Sequence, residues 1–179
     1  GKGEALPKGN AAGEAALQQA LSEITEEFMW DFEGRVLGIW AMHFAGLISR
    51  ELDQPRDAMD FLRTAAGYVD EADAPPAARE VTLLSYVELS KAAIHFMDRD
   101  GNWVQDALKF FDDLQERWPN HLRWAQGQRV GLAHAWLLHE AGRNQDAIAK
   151  VQEVIAAATK TSSGVDFEAG NVLSQLMTD

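Results

Sequence analysis

From Asn10 to the C-terminal residues, the apolar side chains of this chain recur at steps of three and four. Nowhere do they alternate with polar ones over a strand's length. A chain with that single period buries its side chains along helical stripes, so it is expected to be all-α, with helix packed on helix. At 179 residues it is expected to form one domain, large enough to bury roughly 70% of its unfolded surface without a staple. Residues 1–9 (GKGEALPKG) are polar, glycine-rich and broken by Pro7. They are read as a flexible leader, and residues 10–179 as the single folded unit.

The periodicity resolves into about eight helices. The first is expected from Ala11 to Phe28 on the stripe Leu17, Leu21, Ile24 and Phe28. The second is expected from Asp31 to Leu52, with a weak boundary near Trp30. That second segment is apolar around much of its circumference (Val36, Ile39, Trp40, Met42, Phe44, Ile48), as in a helix sandwiched on two sides. Pro55 and Pro76 open the third and fourth, since proline is tolerated in a first helical turn. Asn102 is expected to cap the fifth, Asn120 the sixth and Asn144 the seventh, and Gly142 to end the sixth in a left-handed turn. Ser163 with Asp166 has the spacing of a capping box for the last helix.

Three helix starts look alike: Arg56-Asp57-Ala58-Met59, Gln105-Asp106-Ala107-Leu108 and Gln145-Asp146-Ala147-Ile148. Gly46 and Ala135 stand twelve residues before Ala58 and Ala147, Ala65 seven after Ala58, and Pro119 twelve after Ala107. Small residues at such offsets let two antiparallel helices approach closely at their crossing. The pattern, strongest in Leu138-His139-Glu140-Ala141-Gly142-Arg143-Asn144-Gln145-Asp146-Ala147, resembles the tetratricopeptide repeat, in three units over about Val36 to Ala158. The anchors Asp57, Asp106 and Asp146 are 49 and 40 residues apart, longer than that family's period of about 34. His95 replaces a small residue in the middle unit. The resemblance is thus to a degenerate, superhelical stack of helix hairpins of the tetratricopeptide type. A plain helical bundle is the competing architecture.

Bulk properties narrow the function. A net charge of −12 opposes affinity for nucleic acid or an anionic membrane surface, both of which need a cationic footprint. No run approaches the length of a membrane-spanning helix, so no membrane insertion is expected. The chain has no cysteine, which removes disulfides and thiolate chemistry and leaves cytoplasm and periplasm equally open. None of the five histidines has a glutamate three residues before it, as a helical di-iron site would require. His134 and His139 are five apart, too far around a helix to share a metal. Asp98-Arg99-Asp100-Gly101-Asn102 fails as a calcium loop, because aligning Gly101 puts Phe96 and Ala107 where ligands belong. No phosphate loop or Gly-x-Ser-x-Gly elbow is present. The expectation is a non-enzyme without cofactor or metal.

What remains is a surface. The resemblance assigns a concave, partner-binding face to the first helix of each pair, on positions six before, three before, one after and four after the crossing residue. These are Trp40, His43, Leu47 and Arg50 in the first unit, and Arg129, Leu132, Trp136 and His139 in the last. Trp and Arg are favoured at binding hot spots, so such a face suits a peptide or helix of a protein partner. The bland alternative is that these tryptophans fill the core. A second candidate surface is the basic, aromatic run Arg117-Trp118-Pro119-Asn120-His121-Leu122-Arg123-Trp124, either an exposed docking patch or an inter-helix corner. The alternative functions are a structural domain that oligomerises and a helical domain that holds a small ligand.

Overall fold

The computed structural model describes residues 11–28, 36–99 and 102–178, and the leader and the expected boundary near Trp30 lie outside them. Among the described residues all regular structure is helical. The elements are α1 (Ala11–Glu23), running into a π turn (Ile24–Phe28), α2 (Val36–Glu51), α3 (Pro55–Ala66), α4 (Pro76–His95) and α5 (Trp103–Asp112). After them come α6 (Leu114–Arg117), a 3-10 turn (His121–Arg123), α7 (Ala125–Glu140), α8 (Asn144–Thr161) and α9 (Val165–Leu176).

Two hairpins end their first helix identically. In α2–α3, Asp53 takes the left-handed conformation (φ 62) and the Gln54 N–H donates back to Ser49 O at 2.9 Å. In α7–α8, Gly142 takes it (φ 76) and the Arg143 N–H donates to Leu138 O at 2.8 Å. Each left-handed residue precedes a fully buried alanine, Ala58 or Ala147, by five positions. This is the Schellman stop, which satisfies carbonyls a helix end leaves orphaned. Asp53 accepts it without being glycine, and Arg99 from the turn after α4 grips its carboxylate at 2.6 Å.

The capping expectations fare less well. Asn102 occupies the N-cap of α5 but makes no side-chain cap bond. Asn120 precedes the 3-10 turn, and α7 starts five residues later behind Trp124. Asn144 is itself the first residue of α8, and its side chain pairs with His139 Nδ1 at 2.9 Å. Ser163 forms no box with Asp166. Gly164 is the N-cap of α9, and the Ser163 hydroxyl donates to the Oε1 of Gln128 while its oxygen accepts a long bond from the Val165 N–H at 3.4 Å.

Neighbour packing places the hairpins in a row. α3 packs on α2 and α4, α5 on α4 and α7, and α8 on α7 and α9. The first helices of the three hairpins and the last helix also touch in succession, α2 on α4, α4 on α7 and α7 on α9. Among the described residues α2 does not pack appreciably on α7, α8 or α9, as it would in a closed bundle. The chain is therefore an open stack of helix pairs. Buried polar groups on α4 mark both of its joints. Ser85 Oγ donates to Val81 O and, at 2.9 Å, accepts from the His43 Nδ1–H of α2. Ser90 donates to Ala133 O of α7 at 2.9 Å.

The close approaches within hairpins fall at glycines. A methyl on Gly46 would lie 2.5 Å from Leu62 Cγ and 3.2 Å from the Leu62 backbone nitrogen. Between α7 and α8 the tight position is Gly131, where a methyl would meet Val154 Cγ2 at 2.5 Å. The expected crossing residue Ala135 is itself fully buried. Gly46→Ala is thus expected to destabilise the fold by about 1–3 kcal/mol through overpacking. Urea unfolding measures it, and a variant as stable as the parent would mean that the α2–α3 contact is loose.

Candidate functional site

The predicted surface divides in two. In the last unit Arg129, Leu132 and Trp136 line one groove, whose other wall is Leu84, Val87, Lys91 and Ile94 of α4 and whose end is closed by Glu168 and Val172 of α9. The groove encloses about 400 Å³. Leu132 is buried at its floor, Trp136 is half-buried, and Arg129 is exposed at the rim, with Nε 3.2 Å from Glu168 Oε2. His139 stands outside it, its ring edge-on to Trp136 at 5.8 Å.

The four residues of the first unit do not join that groove. His43 is buried against Ser85, and burial, partly opposed by the nearby Glu88, lowers its pKa. The ring is therefore neutral, and since Ser85 spends its proton on Val81, His43 carries its own on Nδ1. Arg50 donates to Glu88 Oε2 at 2.9 Å, while Lys91 donates to Oε1 of the same carboxylate at 2.7 Å. Burial alone would raise the pKa of Glu88, but these two cations hold it below its ordinary value. Leu47 packs against the main core, and Trp40 stacks on Phe44 at 5.5 Å. In α2, then, His43 and Arg50 serve as a polar joint to α4.

The basic, aromatic run is a corner and not a patch. Trp118 is fully buried, His121 nearly so, and Trp124 is half-buried beneath the Arg79 guanidinium at 4.4 Å. The acidic loop before α4 clasps it from outside. Asp70 accepts from Arg117 Nε at 2.7 Å, and Glu71 accepts from the backbone N–H and side-chain amide of Asn120 at 2.8 and 2.9 Å. Gln128, wholly buried, completes the corner by donating to Leu122 O and Thr161 Oγ1, both at 2.9 Å.

The α4 wall of the groove was missed in the sequence because His95 broke the repeat's small-residue pattern there, so no face was assigned to that helix. The signal existed all the same: Leu84, Val87, Lys91 and Ile94 follow steps of three, four and three. Chemically the groove offers apolar walls with one ion pair at each side. Its hydroxyl, Ser90, is committed to Ala133 O and is not an available nucleophile. Among the described residues no cluster of His, Asp and Glu could hold a metal ion, and no helix is long and apolar enough to cross a membrane. No protein-family model matches the chain, and comparison with curated proteins and with solved structures finds no match either.

Proposed function

We propose that this protein is a non-enzymatic interaction module, a tetratricopeptide-like stack that holds a peptide or helix of a partner protein between α4, α7 and α9. The observation that carries this reading is the groove itself. It is apolar at its floor, bounded by α4, α7 and α9, and edged by Lys91 and Arg129, whose stems extend the apolar wall. A helix or extended peptide seats apolar side chains in such a cleft at regular spacing and meets charge at the rim. Trp136 supplies a large, partly exposed ring, and tryptophan is among the residue types enriched at energetic hot spots.

Peptides selected from a random displayed library against the intact protein test the reading. Trp136→Ala is expected to weaken the selected peptides about 30-fold, the loss of some 2 kcal/mol typical of a hot spot. Trp40→Ala, outside the groove, is expected to leave them unchanged, and both variants should keep the parent's helical circular dichroism. Peptides indifferent to Trp136 would end the proposal. A cavity of about 400 Å³ also lies within the range that holds a small ligand. A small molecule retained in the native mass spectrum and lost with Trp136→Ala would replace the peptide reading.

A further inference from the structure

We infer, on the footing of the proposed function, that the groove takes a single α-helix of the partner, apolar on one face and lying antiparallel to α4 and α7 with its C-terminal end at Arg129. All three walls are helices, whose N–H and C=O groups are spent on their own ladders. An extended peptide laid between them would find no main-chain partners, and the hydroxyl of Ser90 is already given to Ala133 O. A helix arrives with its backbone bonds made and asks only for apolar contact. From Leu84 to Ile94 the α4 wall rises about 15 Å, the length of roughly three helical turns. Over that length one face of a partner helix presents apolar side chains at steps of three and four.

Charge sets the direction. Arg79, in the first turn of α4, stacks over Trp124 just before α7, and Ser90, farther along α4, donates to Ala133 O, farther along α7. The two walls therefore run the same way. Arg129 and Glu168, near the starts of α7 and α9, pair at 3.2 Å, which brings the start of α9 to that end as well. None of these three helices has a side-chain cap at its N-terminus, so their unpaired N–H groups make this end electropositive. The α7 stripe has the same sense. Arg129, Leu132 and Trp136 face the groove, and one turn beyond Trp136 on that face stands Glu140, half-buried. A cation thus opens the stripe and a carboxylate closes it. An antiparallel helix sets its terminal carbonyls against Arg129 and the Gln126 amide, and its first N–H groups toward Glu140. A parallel one meets its own sign at both ends. Glu168 engages Arg129 through Nε, and the guanidinium has further donors to offer.

The probes are library-selected peptides whose binding depends on Trp136. A lactam bridge across one turn, on the face that alanine scanning shows to be idle, is expected to tighten them about 10-fold by fixing the helix beforehand. Proline at the centre is expected to weaken them about 100-fold, whereas proline in the first turn is tolerated. Direction is read by disulfide trapping, since the chain has no cysteine of its own. Gln126→Cys, one turn from Arg129, is expected to trap peptides carrying cysteine at the C-terminus. Met97→Cys, in the turn after α4, should trap those carrying it at the N-terminus. Peptides that tolerate the central proline and gain nothing from the lactam would overturn the inference. So would trapping in the opposite pairing, or equally in both. Either result leaves the groove as a binding site, whereas peptides indifferent to Trp136 would remove the site and its helix together.

Discussion

Gly127→Ala is expected to cost at least about 3 kcal/mol, beyond the usual range for an added methyl, because the new atom has nowhere to go. Gly127 lies in the first turn of α7, directly over the backbone of the 3-10 turn, and a Cβ there would fall inside the carbonyl oxygen of His121. At Gly46 the two nearest atoms belong to the Leu62 side chain, which can give a little, and the main chain stands farther off, the Leu62 nitrogen at 3.2 Å. At Gly127 they are main chain, fixed by the Trp124 N–H donating to His121 O and by the buried Gln128 bridging Leu122 to Thr161. For a chain of this length the melting temperature should drop by roughly 10 °C. Gly170→Ala, in open space on an exposed face, provides the contrast and should raise stability slightly. Calorimetry of the two variants decides the matter, and a Gly127→Ala protein that melts within a degree or two of the parent would show that the corner yields.

The second large effect is acid instability carried by histidine. His134 is held at a pKa of about 4, first by burial and then by the cations Lys150 and Arg143, while its ring lies 5.1 Å from Phe111. Burial likewise lowers His43 and His121, the latter despite the hydrogen bond from its ring nitrogen to Trp118 O at 2.7 Å. All three are neutral in the native state, whereas an unfolded chain protonates them near 6.5. The unfolded state thus binds more protons between these values, and stability falls as pH drops from about 6.5 toward 4. His134 alone accounts for on the order of 2–3 kcal/mol, the full shift discounted because the ring is half-buried and partly screened. Glu88 adds its share only below its ordinary value of 4.5. Urea midpoints from pH 7.5 to 4.5 should decline steadily, and His134→Gln should flatten the decline. A midpoint constant from pH 7 to 5 would contradict the neutral assignment.

The sequence carried the stack but misplaced much of its detail, for a consistent physical reason. Backbone punctuation is local, so Gly142 as a left-handed stop, and Pro55 and Pro76 as helix starts, could be read from residue type alone. The capping roles of Asn120 and Ser163 failed as their side chains met distant partners, Glu71 and Gln128, that no local rule anticipates, while Asn144 turned to His139 across its own turn. The same holds for the site. Family-like register placed Arg129, Leu132 and Trp136 on one face of α7, where the groove lies. It could not tell that His43 and Arg50 would be drawn onto Ser85 and Glu88, since that depends on which polar groups α4 presents across the joint. The Trp118 corner shows the limit most clearly, because a basic, aromatic segment looks like a docking patch until an acidic loop 47 to 49 residues earlier in sequence folds over it.

α4 is the axle of this molecule. One rigid rod of twenty residues carries Leu84, Val87 and Ile94 toward the groove and, on the same turns, Ser85 and Glu88 toward α2. A wedge driven between α4 and α7 therefore bears on the shaft that His43 and Arg50 hold from the far side. Residues that wall the groove and residues that lock α4 to α2 thus alternate along the same turns of a single helix.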